Sequence, residues 1–216
     1  IAGEIWYNST TKTLKVAPQI ASWSSGGNMS GSRSDAGCGG TQTAAFAAGG
    51  YNPSGPSFNN ITEEYDGSSW SNGGNLGTAR YNMSGSGTLT AGLVACGRQE
   101  ASTPRPAGGT VLVEEYDGSS WSEVTNLPGA RSNGSGSGSL TAGMVFCGNP
   151  GSMTTVFTYD GTNWASAAAV ANGRNSLNRG LTITGNSSSM AFAGSPSFQS
   201  TEEYGGTITL KTITDS

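Results

Sequence analysis

Apolar residues in this chain come in short runs rather than in helical stripes. Thr43-Ala44-Ala45-Phe46-Ala47-Ala48, Leu93-Val94-Ala95-Cys96 and Met144-Val145-Phe146-Cys147 each run into glycine. Such runs fit strands buried on both faces. A Gly/Ser-rich segment, such as Ala79 to Gly87, precedes each run and predicts a strand of small residues. A strand carrying Tyr follows, as in Val111 to Tyr116, and then one carrying Trp. Asp-Gly between these last two predicts a hairpin, because both residues tolerate the positive φ of a tight turn. No segment has helical periodicity. Ala165 to Ala171 is Ala-rich but aligns with the loop that follows Trp elsewhere.

The order of these segments recurs. Trp23, Trp70, Trp121 and Trp164 are spaced by 47, 51 and 43 residues. Ten positions after each stands an arginine: Arg33, Arg80, Arg131 and Arg174. A glycine follows at Gly50, Gly97, Gly148 and Gly194, then a tyrosine at Tyr65, Tyr116, Tyr159 and Tyr204. A four-stranded unit of this length is the size of one propeller blade. Stacked radially, each blade covers its neighbour. Small residues let the sheets converge near the axis, and Trp and Tyr fill the wider gaps outside. The repeated Trp, Arg and Tyr are therefore read as structural anchors.

Residues 1–22 read as a β-hairpin region around Ser9-Thr10-Thr11, and residues 23–216 as the propeller repeats. After Tyr204 the pattern changes to Gly205-Gly206, and Thr207 to Ile213 alternates like a strand. The expected fold is an all-β propeller whose N- and C-terminal strands join in a fifth, closing blade. Four blades plus an accessory hairpin is the alternative. With Ile1 in place of Met, the chain is expected to be trimmed or part of something longer.

Composition narrows the function. Charged residues make up 11% of the chain, against about 25% in an average soluble protein. Histidine is absent, which removes His-based triads, His-ligated zinc and the commonest general acid–base group. With 10 basic and 14 acidic residues, no footprint for nucleic acid is expected. No apolar run is long enough to insert in a membrane.

The glycine, Tyr, Trp order resembles the kelch repeat, although a Gly-Gly doublet stands only at Gly49-Gly50. The phrases Thr62-Glu63-Glu64-Tyr65-Asp66-Gly67-Ser68-Ser69-Trp70 and Gly73-Gly74-Asn75-Leu76-Gly77-Thr78-Ala79-Arg80 are similar to a kelch-like repeat of marine bacteriophage structural and tail proteins. The opening Gly3-Glu4-Ile5-Trp6-Tyr7-Asn8 resembles a hairpin of phage fibre proteins. The resemblance implies a non-enzymatic virion component on a tail, fibre or capsid surface. Its implied partners are other virion proteins and a host-surface glycan or protein, with homo-oligomerisation compatible with a fibre. A lectin-like module is the second reading and a propeller oxidase or hydrolase the third.

Candidate chemistry is sparse, and no cofactor or metal is expected. Glu63-Glu64, Glu114-Glu115 and Glu202-Glu203 are adjacent on strands, so each pair faces two ways. One Glu of each pair is expected to meet a repeated Arg of a neighbouring blade; an anion site for the arginines in a central channel is the alternative. Cys38, Cys96 and Cys147 lack zinc-site spacing, and Cys96 and Cys147 read as buried thiols on apolar strands. The loops after the repeated glycine vary most, and recognition commonly sits on such loops. There, Tyr51, Phe58 and Phe198 are candidates to stack on sugar rings, and Arg98 and Arg105 to meet acidic groups.

Overall fold

The structure, a computed structural model, describes residues 5–16, 23–54, 58–99, 109–176, 188–192, 194–196 and 201–205. These residues form strands and no helix, and every pairing is antiparallel. Strands β1 (Ile5–Asn8) and β2 (Thr13–Val16) make the expected N-terminal hairpin. The first four-stranded sheet holds β3 (Gly37–Thr41), β4 (Ala44–Ala48), β5 (Thr62–Tyr65) and β6 (Trp70–Asn72). The second holds β7 (Ser84–Thr88), β8 (Ala91–Ala95), β9 (Val113–Tyr116) and β10 (Trp121–Glu123). The third holds β11 (Ser135–Ser139), β12 (Ala142–Phe146), β13 (Val156–Tyr159) and β14 (Trp164–Ala167). A fourth sheet is described by β15 (Ser188–Phe192) and β16 (Thr201–Gly205). Each four-stranded sheet is a meander in chain order.

The arrangement is propeller-like. The first strands of successive sheets, β3, β7 and β11, lie side by side. Their small residues make that approach possible. A methyl group built on Gly85 would stand 2.4 Å from the backbone nitrogen of Cys38, and one on Gly136 2.9 Å from the carbonyl oxygen of Gly85. The alternating serines Ser84, Ser86, Ser135 and Ser137 are buried. Small residues at these positions thus set the distance between sheets.

The apolar core lies between the sheets, as stacking demands. Phe46, Leu76, Met83 and Val94 join the first sheet to the second, with Trp121 against them. Leu93, Val113, Leu127, Val145 and Tyr159 join the second to the third. Further out, Tyr and Trp occupy paired cross-strand positions. Tyr116 stacks on Trp121 at 4.7 Å and Tyr159 on Trp164 at 4.6 Å. Tyr65 and Trp70 lie 5.1 Å apart. Trp121 also reaches back to the preceding sheet, donating from Nε1 to Thr62 Oγ1 at 2.9 Å. Trp23 departs from the anchor pattern: it is fully exposed, at 104% relative accessibility.

Three local expectations change. The small-residue strand of the second sheet begins at Ser84 rather than Ala79, because Asn82 just before it takes φ +56°. Cys96 and Cys147 sit one residue beyond their strands at φ +59° and +62°, followed by Gly97 and Gly148 at positive φ. They are buried thiols, but in a bend and not on a strand. In the Asp-Gly turns only the glycine takes positive φ (Gly67, Gly118, Gly161). The aspartate serves as acceptor: Asp66 Oδ1 receives the N–H groups of Ser68 and Ser69, each at 2.8 Å. The C-terminal strand expected at Thr207 to Ile213 lies outside the described residues.

Replacing Gly85 with Ala is expected to cost about 2–3 kcal/mol, since the new methyl meets backbone that has no rotamer to yield. Gly31→Ala, with nothing within 4 Å of the added methyl, is expected to stay within about 0.5 kcal/mol of the parent. Urea denaturation of both variants checks the pair.

Candidate functional site

The repeated arginines lie between the sheets. Arg80, Arg131 and Arg174 are completely buried, which is costly for a cation unless its donors are satisfied. Each bridges two sheets. Its carbonyl accepts the N–H of the glycine of the sheet before it: Gly50 to Arg80 at 2.8 Å, Gly97 to Arg131 at 3.0 Å and Gly148 to Arg174 at 2.8 Å. Its guanidinium enters the sheet that follows. Arg80 Nη1 donates to the carbonyls of Cys96 and Leu112 at 2.7 and 2.9 Å. Arg80 Nη2 meets Glu114 Oε1 at 2.6 Å. Arg33 pairs likewise with Glu63, and Arg174 with Glu202 at 2.6 Å.

The first Glu of each pair therefore meets the arginine that leads into its own sheet, which corrects the expected cross-blade pairing. A backbone N–H three residues before the arginine completes the carboxylate's shell. Ser30 serves Glu63 and Gly77 serves Glu114, both at 2.7 Å. For Glu202, burial alone would raise the carboxyl; the N–H groups of Ala171 and Asn172 and the Arg174 guanidinium outweigh it, so the group sits below its ordinary value.

In the first two pairs the second Glu spans the gap to the next sheet. Tyr116 donates its hydroxyl to Glu64, and Tyr159 donates to Glu115 at 2.7 Å. Adjacent carboxylates thus point in opposite directions, one to an arginine and one to a neighbour's tyrosine.

The third junction is built differently, and its substitutions fit one another. Phe157 replaces the first Glu, and the Arg131 guanidinium lies over its ring at 4.6 Å. Thr155 Oγ1 takes the bond from Arg131 Nη2 at 2.9 Å. Where the other junctions offer an N–H to the carboxylate, this one has Pro128, which has no N–H to offer. Carboxylate and donor are lost together. Desolvation lowers the Arg131 pKa from its ordinary value, with no carboxylate beside it to offset the burial.

The same ends of the sheets carry the variable loops. Tyr51, just after Gly50, bridges Ser34 and Phe58. Its ring lies 5.9 Å from Phe58 and 6.1 Å from Tyr81, and Phe58 and Tyr81 lie 4.8 Å apart. Tyr51 is 37% exposed and the other two are half-buried. Arg98, on the second sheet, pairs in backbone with Tyr81 and donates from Nε to Ser132 Oγ at 3.2 Å. Sequence reasoning found Tyr51, Phe58 and Arg98 but missed Tyr81, which completes the cluster. Its signal was present: the residue after the repeated arginine is Ser34, Tyr81, Ser132 or Asn175, and only one is aromatic. Arg105 and Phe198 lie outside the described residues.

At this end the sheets are also joined through main chain. Asp35, Asn82, Asn133 and Ser176 each stand two residues after a repeated arginine, with φ between 51° and 57°. Asn82 N–H donates to Asp35 C=O at 2.9 Å, Asn133 to Asn82 at 3.0 Å and Ser176 to Asn133 at 3.1 Å. Asp and Asn tolerate this left-handed region better than most residues.

Among the described residues no group of three or more His, Cys, Asp or Glu could hold a metal ion. Burial pushes the Cys147 thiol up to about 11, although Arg174 and Arg131 pull the other way. It is accordingly no thiolate at neutral pH. A cavity between the third and fourth sheets is lined by Met144, Phe146, Val156, Ala191 and Glu202, whose carboxylate is already paired. Compared with family models and with curated proteins, the chain matches none.

Two outcomes are expected. Glu114→Ala, which strands a buried guanidinium, is expected to cost about 3–5 kcal/mol in urea denaturation. The exposed Glu123→Ala is expected to cost less than about 0.5 kcal/mol. The second concerns pH. Burial, and then the bond to Glu64, push Tyr116 up to about 12. Its folded pKa is raised, so its contribution is complete below the unfolded value near 10 and is lost as pH rises toward about 12. Tyr116→Phe is expected to flatten the fall in urea midpoint between about pH 10 and 11.5 while lowering stability at neutral pH by about 1 kcal/mol.

Proposed function

We propose that this chain is a non-enzymatic display and adhesion module of a bacteriophage virion surface, built as a closed kelch-like propeller. In this reading it sits on a tail, fibre or capsid, contacts other virion proteins, and meets the host surface through the loops at one end of its sheets. The observation that carries it is the division of labour along each sheet. Buried arginines, carboxylates and close-packed glycines hold the frame, while the loops that differ most between repeats bring Tyr51, Phe58 and Arg98 to one end, beside Tyr81.

Closure by a fifth blade has support in the segment before the first sheet. Gly27 donates its N–H to Ser68 C=O at 3.0 Å, and Gly74, the matching residue of the next junction, lies against Ser119 C=O. Residues 26–33 thus pack on the first sheet as residues 73–80 pack on the second. In this reading the β1–β2 hairpin, which precedes that segment in the chain, supplies strands of a further blade.

The reading as a non-enzymatic module is supported by how the carboxylates are used. Glu63, Glu114 and Glu202 serve arginines, and Glu64 and Glu115 serve tyrosines. Such groups are committed to the frame. The aromatic cluster also favours a second reading, a free lectin-like module: aromatic faces stack on the C–H faces of sugars, and Arg98 and Ser132 flank them.

Immunogold electron microscopy of cultures producing the chain separates the two. Label at a fixed place on phage particles is the expected result; label only on cells or free in the medium overturns the virion assignment and leaves the lectin. In parallel, a Tyr51→Ala/Tyr81→Ala variant is expected to bind host cells at least about tenfold more weakly, a loss of about 1.4 kcal/mol. Unchanged binding would remove these loops from the recognition surface.

A further inference from the structure

We propose that two junctions of this protein each enclose an ordered water molecule, held between a repeated arginine and the side chain beside it. The observation is a pair of buried polar atoms that recurs in two repeats. Arg80 Nε and Asn59 Oδ1 are buried with no hydrogen-bond partner, and so are Arg131 Nε and Thr110 Oγ1.

These four atoms form two equivalent pairs. Asn59 N–H donates to Gly50 C=O, and Gly50 N–H to Arg80 C=O. Thr110 N–H donates to Gly97 C=O, and Gly97 N–H to Arg131 C=O. Thr110 and Arg131 are antiparallel bridge partners. Side chains of such partners stand side by side on one face. In the second pair a donor, Nε–H, therefore lies on the same face as an acceptor oxygen without bonding it; in the first, Asn59 and Arg80 are joined through the same glycine ladder, and again donor and acceptor are each left without a protein partner. Buried polar groups are nearly always satisfied, and a water needs two or more polar partners.

The third repeat supplies an internal comparison. Met153 holds the position of Asn59 and Thr110: its N–H donates to Gly148 C=O, and Gly148 N–H to Arg174 C=O. The methionine side chain has no oxygen to offer. Here the arginine Nε turns to a main-chain oxygen, that of Asn172, at 3.3 Å. Where the acceptor side chain is lost, the arginine finds a protein partner instead. The guanidinium of Arg80 spends its Nη atoms on Cys96, Leu112 and Glu114, and that of Arg131 on Cys147 and Thr155. Their Nε atoms are what the waters serve.

A high-resolution crystal structure of the chain is the first test. The expected result is one ordered water within hydrogen-bond reach of both Arg80 Nε and Asn59 Oδ1, one at Arg131 Nε and Thr110 Oγ1, and none between Arg174 Nε and Met153. Direct side-chain bonds in place of water, or a water at the Met153 junction too, overturns the proposal. Oxygen-17 relaxation dispersion in solution is the second. Thr110→Met, which copies the third repeat, is expected to keep the near-ultraviolet circular dichroism of the parent and to lose one long-lived water. An unchanged count in that folded variant overturns the assignment at Thr110. If it does not fold, Asn59→Met reads the other site in the same way, and the parent crystal structure still decides both.

Discussion

A guanidinium buried between two sheets is the constraint on which the rest of this structure depends. The arginine ties two sheets with two different parts of itself, its carbonyl holding the sheet before and its side chain the sheet after. Burial makes every unpaired donor costly, so the surrounding residues are chosen to receive it. The carboxylate on the third strand, the N–H three positions upstream and the two carbonyls at the strand ends all follow from that need. A buried ion pair adds little net stability over an apolar packing of the same shape, but it penalises misalignment heavily. It does so between sheets whose first strands, rich in glycine and serine, have few large side chains with which to set their own alignment.

The third junction shows that the constraint is satisfaction, not the carboxylate as such. Phe157 and Thr155 receive Arg131 by a ring face and a hydroxyl, and Pro128 stands where a donor would have nothing to serve. Changes far apart in the sequence are mutually consistent because they surround one group.

The repeat, its strand order and its hairpins were legible because they rest on local signals: apolar runs that stop at glycine, Asp-Gly turns, and evenly spaced aromatics. The Tyr–Trp pairs were legible because cross-strand partners lie close in sequence. What was not legible depends on direction and distance. Spacing could link arginine to glutamate but not say which sheet the guanidinium enters, since its backbone and side chain go opposite ways. The positive φ of Cys96 and Cys147 was hidden because the residue type gives no hint of it; only alignment with Gly49 does. Tyr81 was overlooked because it adjoins an anchor arginine and not a variable loop, yet the fold brings it to Tyr51 and Phe58.

The main-chain bonds linking Asp35, Asn82, Asn133 and Ser176 use no side-chain atom. Any residue that accepts the left-handed conformation can occupy those positions without loosening the assembly. Asn82 and Asn133 therefore each couple to a neighbour on both sides, one through N–H and one through C=O, by groups that every such position carries. The loops can therefore change in sequence and length while these joints, made of main chain, stay the same.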